Sequence, residues 1–221
     1  MSVLGSENVF DKYAFPTEQL ELEQALIYKK DRHNAYSVER TYVNSKQYHD
    51  KFEMLPTNKE VQQSLYKEAG RLLNYVDAQE QERMLVVNAR TGEFIVDNFD
   101  RDGDMYKTGF NAEEYQKILD CPDGIIVMHN HSLNGRPSAQ DLITYLKEEK
   151  IKISLILCHD GSIYGIFDVQ KEVEEIYIMY LEDAKRRTAS EEEAKRLATT
   201  NMYILNEKLS KKHKLFDVRR L

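Results

Sequence analysis

Met128-His129-Asn130-His131-Ser132-Leu133-Asn134-Gly135-Arg136-Pro137-Ser138-Ala139-Gln140-Asp141 is the stretch whose reading decides the fold. It is preceded by Ile125-Ile126-Val127, so an apolar run reads as a buried strand that ends in His129. His129 and His131 fall two apart at that end. Strand alternation turns both imidazoles to one face, roughly 6.6 Å apart along the chain. Asn134-Gly135 and Pro137 then mark a loop, and a helix is predicted from Ser138 to about Lys150, with Leu142, Ile143 and Leu146 on its apolar face. Asp141 lies in the first turn of that helix, where its carboxylate can reach back toward the strand end.

Two imidazoles and one carboxylate can converge on a single ion with ligand bonds of about 2.0–2.1 Å. That set leaves a fourth tetrahedral position for water, the catalytic rather than the structural arrangement of zinc. Bound zinc brings the pKa of such a water to about 7. Plainer readings exist for each part. Ser138-Ala139-Gln140-Asp141 is also a capping box, and a histidine pair can simply close a strand. The letters His-Asn-His suggest an endonuclease as well, but that chemistry needs a ββα frame with more widely spread histidines. The joint occurrence of strand, His-x-His, Gly/Pro loop and Ser-x-x-Asp favours the metal reading.

Working outward, Met84-Leu85-Val86-Val87 and Phe94-Ile95-Val96 flank a Gly92-containing turn and read as a hairpin. Before them, Val61, Leu65, Ala69, Leu72, Leu73 and Val76 recur at helical spacing, so 58–77 is predicted to be an amphipathic helix. Asn111 to Glu114 is a capping box opening a short helix to about Leu119. After the motif, Ile153 to Cys158 is a second buried strand, turned by Asp160-Gly161 into Ile163 to Phe167. Two helices follow, one using Val173, Ile176, Tyr177, Tyr180 and Leu181. The other opens at Ser190/Glu193 and uses Leu197, Ala198, Met202, Leu205 and Leu209. The expected organisation is an arm over 1–57, tyrosine-rich and undecided in structure, a mixed α/β core over 58–168, and a helical extension over 169–221. No repeat or low-complexity tract interrupts it.

Composition narrows the class. With 41% hydrophobic and 31% charged residues the chain reads as globular, and no apolar run reaches the roughly 18 residues of a membrane span. The first residues, Met-Ser-Val-Leu-Gly-Ser-Glu-Asn, lack the basic start and apolar run of a secretory leader, so the expected location is the cytoplasm. A net charge of -7 speaks against nucleic acid as a partner. Lys211, Lys212, Lys214, Arg219 and Arg220 form a basic tail that reads as a solvated end. Two cysteines, Cys121 and Cys158, make neither a disulfide framework nor a Cys-x-x-Cys metal knuckle, and both are expected to pack as small hydrophobes.

The string His129-x-His131, a short loop, then Ser138-x-x-Asp141 resembles the signature of the JAMM (MPN+, Mov34/JAB-type) zinc metallopeptidases. The resemblance covers about 82–168. The similar-looking branch is that of RadC-like proteins and phage-associated JAB domains, which share His-Asn-His. It implies a deaminase-like three-layer α/β core with a mixed sheet flanked by helices. It also implies one zinc ion held by His129, His131 and Asp141, and Ser138 as the side chain that helps bind the oxyanion. The family's general base is a glutamate on an earlier strand. Glu82, just before Met84, is the match, with Glu80 the alternative. The implied activity is peptidase or isopeptidase cleavage of a protein or peptide substrate, a ubiquitin-like conjugate among the options, with no membrane partner. A phage or mobile-element binding module that holds metal without turnover is the competing reading. A zinc nucleoside deaminase shares the general fold but requires Pro-Cys-x-x-Cys ligands, which are absent. Two departures from the family stand out. Ser132 replaces the usual proline after the second histidine, and six residues separate His131 from Ser138, one fewer than in deubiquitinase-type members. Asn130, facing away from the pair, is expected to anchor the strand end. His159 is expected at a surface turn, and His33, His49 and His213 are given no role.

Overall fold

The computed structural model describes residues 36–99 and 109–221, which divide into a sheet unit (36–169 with 216–221) and a helical unit (170–215). The sheet unit holds a six-stranded mixed sheet. Its strands are β1 (Met84–Asn88), β2 (Phe94–Asp97), β3 (Ile125–His131), β4 (Ile151–Cys158), β5 (Ile163–Val169) and β6 (Phe216–Arg220). They lie in the order β2-β1-β3-β4-β5-β6, and β3 with β4 is the parallel pair. A parallel pair needs a crossover. Here helix α5 (Ala139–Lys147) supplies it, which brings the helix N-terminus beside the C-terminal end of β3.

Helices cover both faces of the sheet. On one, α3 (Lys59–Tyr75) lays fully buried Val61, Leu65, Ala69, Leu72 and Leu73 against Leu85, Val87, Ile126, Met128, Leu155 and Leu157. Each such aliphatic side chain contributes about 1.5–3 kcal/mol by leaving water. Asn58 caps α3 by accepting from the Val61 N–H at 2.9 Å. On the other face Ile118 of α4 (Ala112–Asp120) and Tyr145 of α5 pack with Val86, Ile125, Val127 and Ile151. A mixed α/β architecture is thus present, and Asn111/Glu114 and Ser138/Asp141 both form complete capping boxes.

Two expected boundaries move. Residues 1–35 of the expected N-terminal arm lie outside the described residues, but 36–57 belong to the sheet unit. Helices α1 (Arg40–Val43) and α2 (Lys46–Glu53) bury Val43, Tyr48 and Phe52 in the same core as α3. An eight-residue helix carrying two apolar aromatics one turn apart is too short to announce itself as a periodic stripe. At the other end the extension is not wholly helical, because 216–220 return to the sheet as an edge strand. Only Phe216 and Val218 alternate there, and Arg219 and Arg220 give the strand the charge that edges use against mispairing. The helical unit contains α6 (Val173–Lys185) and α7 (Glu191–Lys208), which bury Val173, Ile176, Tyr180, Ala194, Ala198 and Met202, followed by a 3-10 turn at Lys211–His213. No helix among the described residues is long and apolar enough to cross a membrane.

The β4–β5 turn makes one stability prediction. Gly161 sits at φ +79°, and a Cβ there would lie 2.3 Å from Cδ1 of Tyr42. Gly161→Ala combines left-handed strain with a ring collision and is expected to cost about 2 kcal/mol or more. Urea unfolding checks it; a loss under about 0.5 kcal/mol would mean that the ring yields freely.

Candidate metal centre

Sheet parity puts the proposed ligands on one side. Ile126, Met128 and Asn130 alternate toward the α3 face, so Val127, His129 and His131 point to the α5 face. The carboxylate that could join them, Asp141, is in the first turn of α5. The β1–β3 register pairs Met84 with His129 across the antiparallel ladder. Continuing it two residues along each strand sets Glu82 opposite His131, on the same face as both imidazoles. Glu80 would fall opposite Leu133, beyond the last residue of β3. Register therefore favours Glu82 over Glu80.

The three donor groups converge. His129 Nε2 and His131 Nε2 are 3.2 Å apart. Asp141 Oδ1 lies 3.3 Å from His129 Nε2, and Oδ2 lies 3.5 Å from His131 Nε2. Two ligands bonded to zinc at the tetrahedral angle are separated by about 3.3 Å. The side chains thus hold a spacing that suits one tetrahedral ion. Glu82 Oε1 is 3.9 Å from His131 Nε2, and its side chain is 45% exposed, against 19% for that of Asp141. The Nδ1 of His131 lies 3.1 Å from the Gly135 carbonyl. Donating Nδ1–H there leaves Nε2 turned toward His129 and Asp141, the way an outer hydrogen bond fixes the tautomer where a histidine binds a metal.

The capping box and the ligand reading of Asp141 coexist. The Ser138 N–H and the Ser138 hydroxyl donate to Asp141 Oδ2 at 2.6 and 2.7 Å, and the Ser138 Oγ accepts from the Asp141 N–H at 3.2 Å. Those bonds orient the carboxylate toward the histidines. They also commit the hydroxyl hydrogen of Ser138 to Asp141. Burial by itself lowers the basicity of His131, but the hydrogen bond and charge of Asp141, helped by Glu82 and the Gly135 carbonyl, outweigh it and raise the pKa to about 9. Burial opposes ionisation of Asp141 too, and the two imidazoles outweigh that, holding it well below the usual carboxylate range. Cys158 ends β4 beside this loop. Burial pushes its thiol up to about 12, so it stays protonated and donates to the Gly135 carbonyl at 3.7 Å.

His159 is not a surface residue. It is 1% exposed, with Nδ1 2.8 Å from the Tyr36 carbonyl and Nε2 3.2 Å from Nδ2 of Asn130. A histidine between a strand and a turn signal reads as exposed because the covering segment, 36–39, is more than a hundred residues away in sequence. Asn130, fully buried, does anchor the strand end: its Oδ1 accepts from the Arg83 N–H at 2.7 Å and its Nδ2 donates to the Gln81 carbonyl at 3.2 Å. Ser132 has a role that proline in its place lacks, since its hydroxyl donates to the Glu80 carbonyl at 3.1 Å. Asn134 makes the loop turn at φ +60°, a conformation asparagine tolerates, and accepts from the Asp160 N–H at 3.0 Å. A second His/acid group, His49, Asp50 and Glu53 on α2, lies at the surface with its ion pairs at 3.8 Å, and among the described residues it lacks buried supporting hydrogen bonds of the kind that hold Asp141.

No family model, no curated protein and no solved structure matches the chain.

Proposed function

We propose that this chain is a zinc-dependent amide hydrolase of the JAMM type, cleaving a peptide or isopeptide bond. The observation that carries the proposal is the triangle of His129 Nε2, His131 Nε2 and the Asp141 carboxylate, with edges of 3.2, 3.3 and 3.5 Å and a solvent-facing glutamate at its border. His129, His131 and Asp141 would hold the ion, and the donor set of two imidazoles and one oxygen suits zinc. Zinc held there would supply Lewis acidity toward the scissile carbonyl and would acidify the attacking water. Glu82 takes a proton from the attacking water as its oxygen bonds to the carbonyl carbon, and returns a proton to the nitrogen as the C–N bond breaks. Ser138 assists at the carbonyl oxygen by turning its hydroxyl from Asp141 to the developing negative charge. Phage-type metal binding without turnover is the competing reading.

Metal content and cleavage of a peptide and ubiquitin-like conjugate panel test it together. The expected result is one zinc per chain and hydrolysis that Glu82→Gln reduces by about 100-fold or more while zinc is retained, in keeping with the usual worth of a general base. Stoichiometric zinc with no cleavage by the unmodified chain would point to the binding module. A protein that takes up no zinc would end the proposal.

A further inference from the structure

The segment bearing Glu82 precedes β1, and the side chain of Asn130 in β3 holds it. Asn130 clamps it on both sides of Glu82, accepting from the Arg83 N–H and donating to the Gln81 carbonyl. Backbone supports this, since the Asn130 N–H donates to the Arg83 carbonyl at 3.2 Å. A primary amide has two donor hydrogens and one acceptor oxygen. Only one orientation of the Asn130 amide satisfies both neighbours; the flipped amide would set its oxygen against the Gln81 carbonyl and its hydrogens against the Arg83 N–H.

His159 completes that choice. With Nδ1–H given to the Tyr36 carbonyl, its Nε2 carries a lone pair that accepts from the second Asn130 hydrogen. Every polar atom of the Asn130 side chain is then used, in a position fully buried. Buried polar groups that are all satisfied in one arrangement rigidify and specify it. Burial lowers the basicity of His159, against a smaller opposing effect of the Tyr36 carbonyl and of Asp77 and Asp160, which favours the neutral ring that this bonding needs.

We infer that Asn130 and His159 are positioning residues for Glu82, a buried amide–imidazole pair on the far face of the sheet that fixes where the general base stands relative to His129, His131 and Asp141. The role presupposes the hydrolase reading of that site. It also accounts for two adjacent residue types that metal ligation alone leaves open: asparagine between the histidines, and a histidine at the end of the neighbouring parallel strand, β4. Neither residue touches the substrate side, because strand parity turns Asn130 away from it.

Cobalt loaded into the full chain in place of zinc gives a readout that needs no substrate, since its visible bands shift as the solvent on the ion ionises. Glu82→Gln should move the pH midpoint of those bands, by about half a unit or more, through loss of a neighbouring negative charge. His159→Leu should move it in the same direction with Co2+ affinity kept within about threefold, and His159→Gln, which can donate to Tyr36 and accept from Asn130, should restore the original midpoint. If His159→Leu does not fold by circular dichroism, Asn130→Ser, too short to span both backbone groups, takes its place. A midpoint unmoved in His159→Leu or Asn130→Ser while Glu82→Gln shifts it overturns the positioning role and leaves the hydrolase reading standing. A midpoint that Glu82→Gln itself leaves unmoved overturns the positioning role together with the assignment of Glu82 as the general base. Failure of the unmodified chain to bind Co2+ overturns both.

Discussion

On the proposed ligand set, Asp141→Asn is expected to lower zinc affinity by about 1000-fold or more, beyond the 10–100-fold that loss of an outer-sphere partner costs. Helix α5 nevertheless keeps its cap. The two consequences separate because Asp141 does two jobs with one carboxylate. Oδ2 receives the Ser138 N–H and hydroxyl, and Oδ1 faces His129 at 3.3 Å. An asparagine oxygen can still accept from Ser138, so capping survives. What is lost is the negative charge and, on the proposed reading, a strong metal ligand.

Ser138→Ala is the complementary change. It removes the side chain that caps α5, which costs about 1 kcal/mol of stability, and frees the carboxylate to swing. Zinc affinity should fall by about 10–100-fold, the penalty for an outer-sphere partner. Chelator competition for affinity and urea unfolding of the metal-free proteins measure both effects. If Asp141→Asn binds zinc as well as the unmodified chain, the carboxylate is a cap alone and the ligand set is wrong.

The contrast shows what the sequence could and could not disclose. His129, His131, Asp141 and the strand–loop–helix between them were legible because local periodicity sets strand parity and helix phase, and those two together place three side chains on one face. The choice of Glu82 over Glu80 needed register, a long-range quantity: only the pairing of Met84 with His129 puts Glu82 across from His131. His159 was misread for a related reason. Its burial comes from residues 36–39, where the Glu39 N–H donates to the His159 carbonyl at 2.8 Å, and nothing near position 159 encodes that cover. The end of the chain failed similarly, since an edge strand such as β6 needs only a few alternating residues and borrows its stability from β5. Tyr48 and Phe52 were hidden by brevity, two buried rings on an eight-residue helix. Short elements whose partners are distant leave a weak trace in local pattern, and long ones such as α3 leave a strong one.

Zinc affinity should rise about tenfold per pH unit between pH 7 and 9, with one proton released per ion bound. In the metal-free chain His131 holds its proton up to a pKa of about 9, and the nitrogen that must give it up is Nε2, because Nδ1–H stays on the Gly135 carbonyl. On the proposed ligand set, zinc and that proton would compete for one lone pair. The same pair sets the stability of the metal-free protein with the opposite slope. A histidine whose pKa rises on folding, here from 6.5 to about 9, stabilises fully below pH 6.5, and that contribution is lost as pH climbs through 9. Asp141, depressed from 3.8, stabilises above that value and loses its contribution as pH falls further. Metal-free protein should therefore resist unfolding best between roughly pH 4 and 6.5, and the extra stabilisation conferred by zinc should grow from there to about pH 9. Titration calorimetry in two buffers of different ionisation heat at pH 7.5 counts the proton directly. A count near zero, or an affinity flat across that interval, would mean that His131 is already neutral beside Asp141 and that the buried ion pair does not exist.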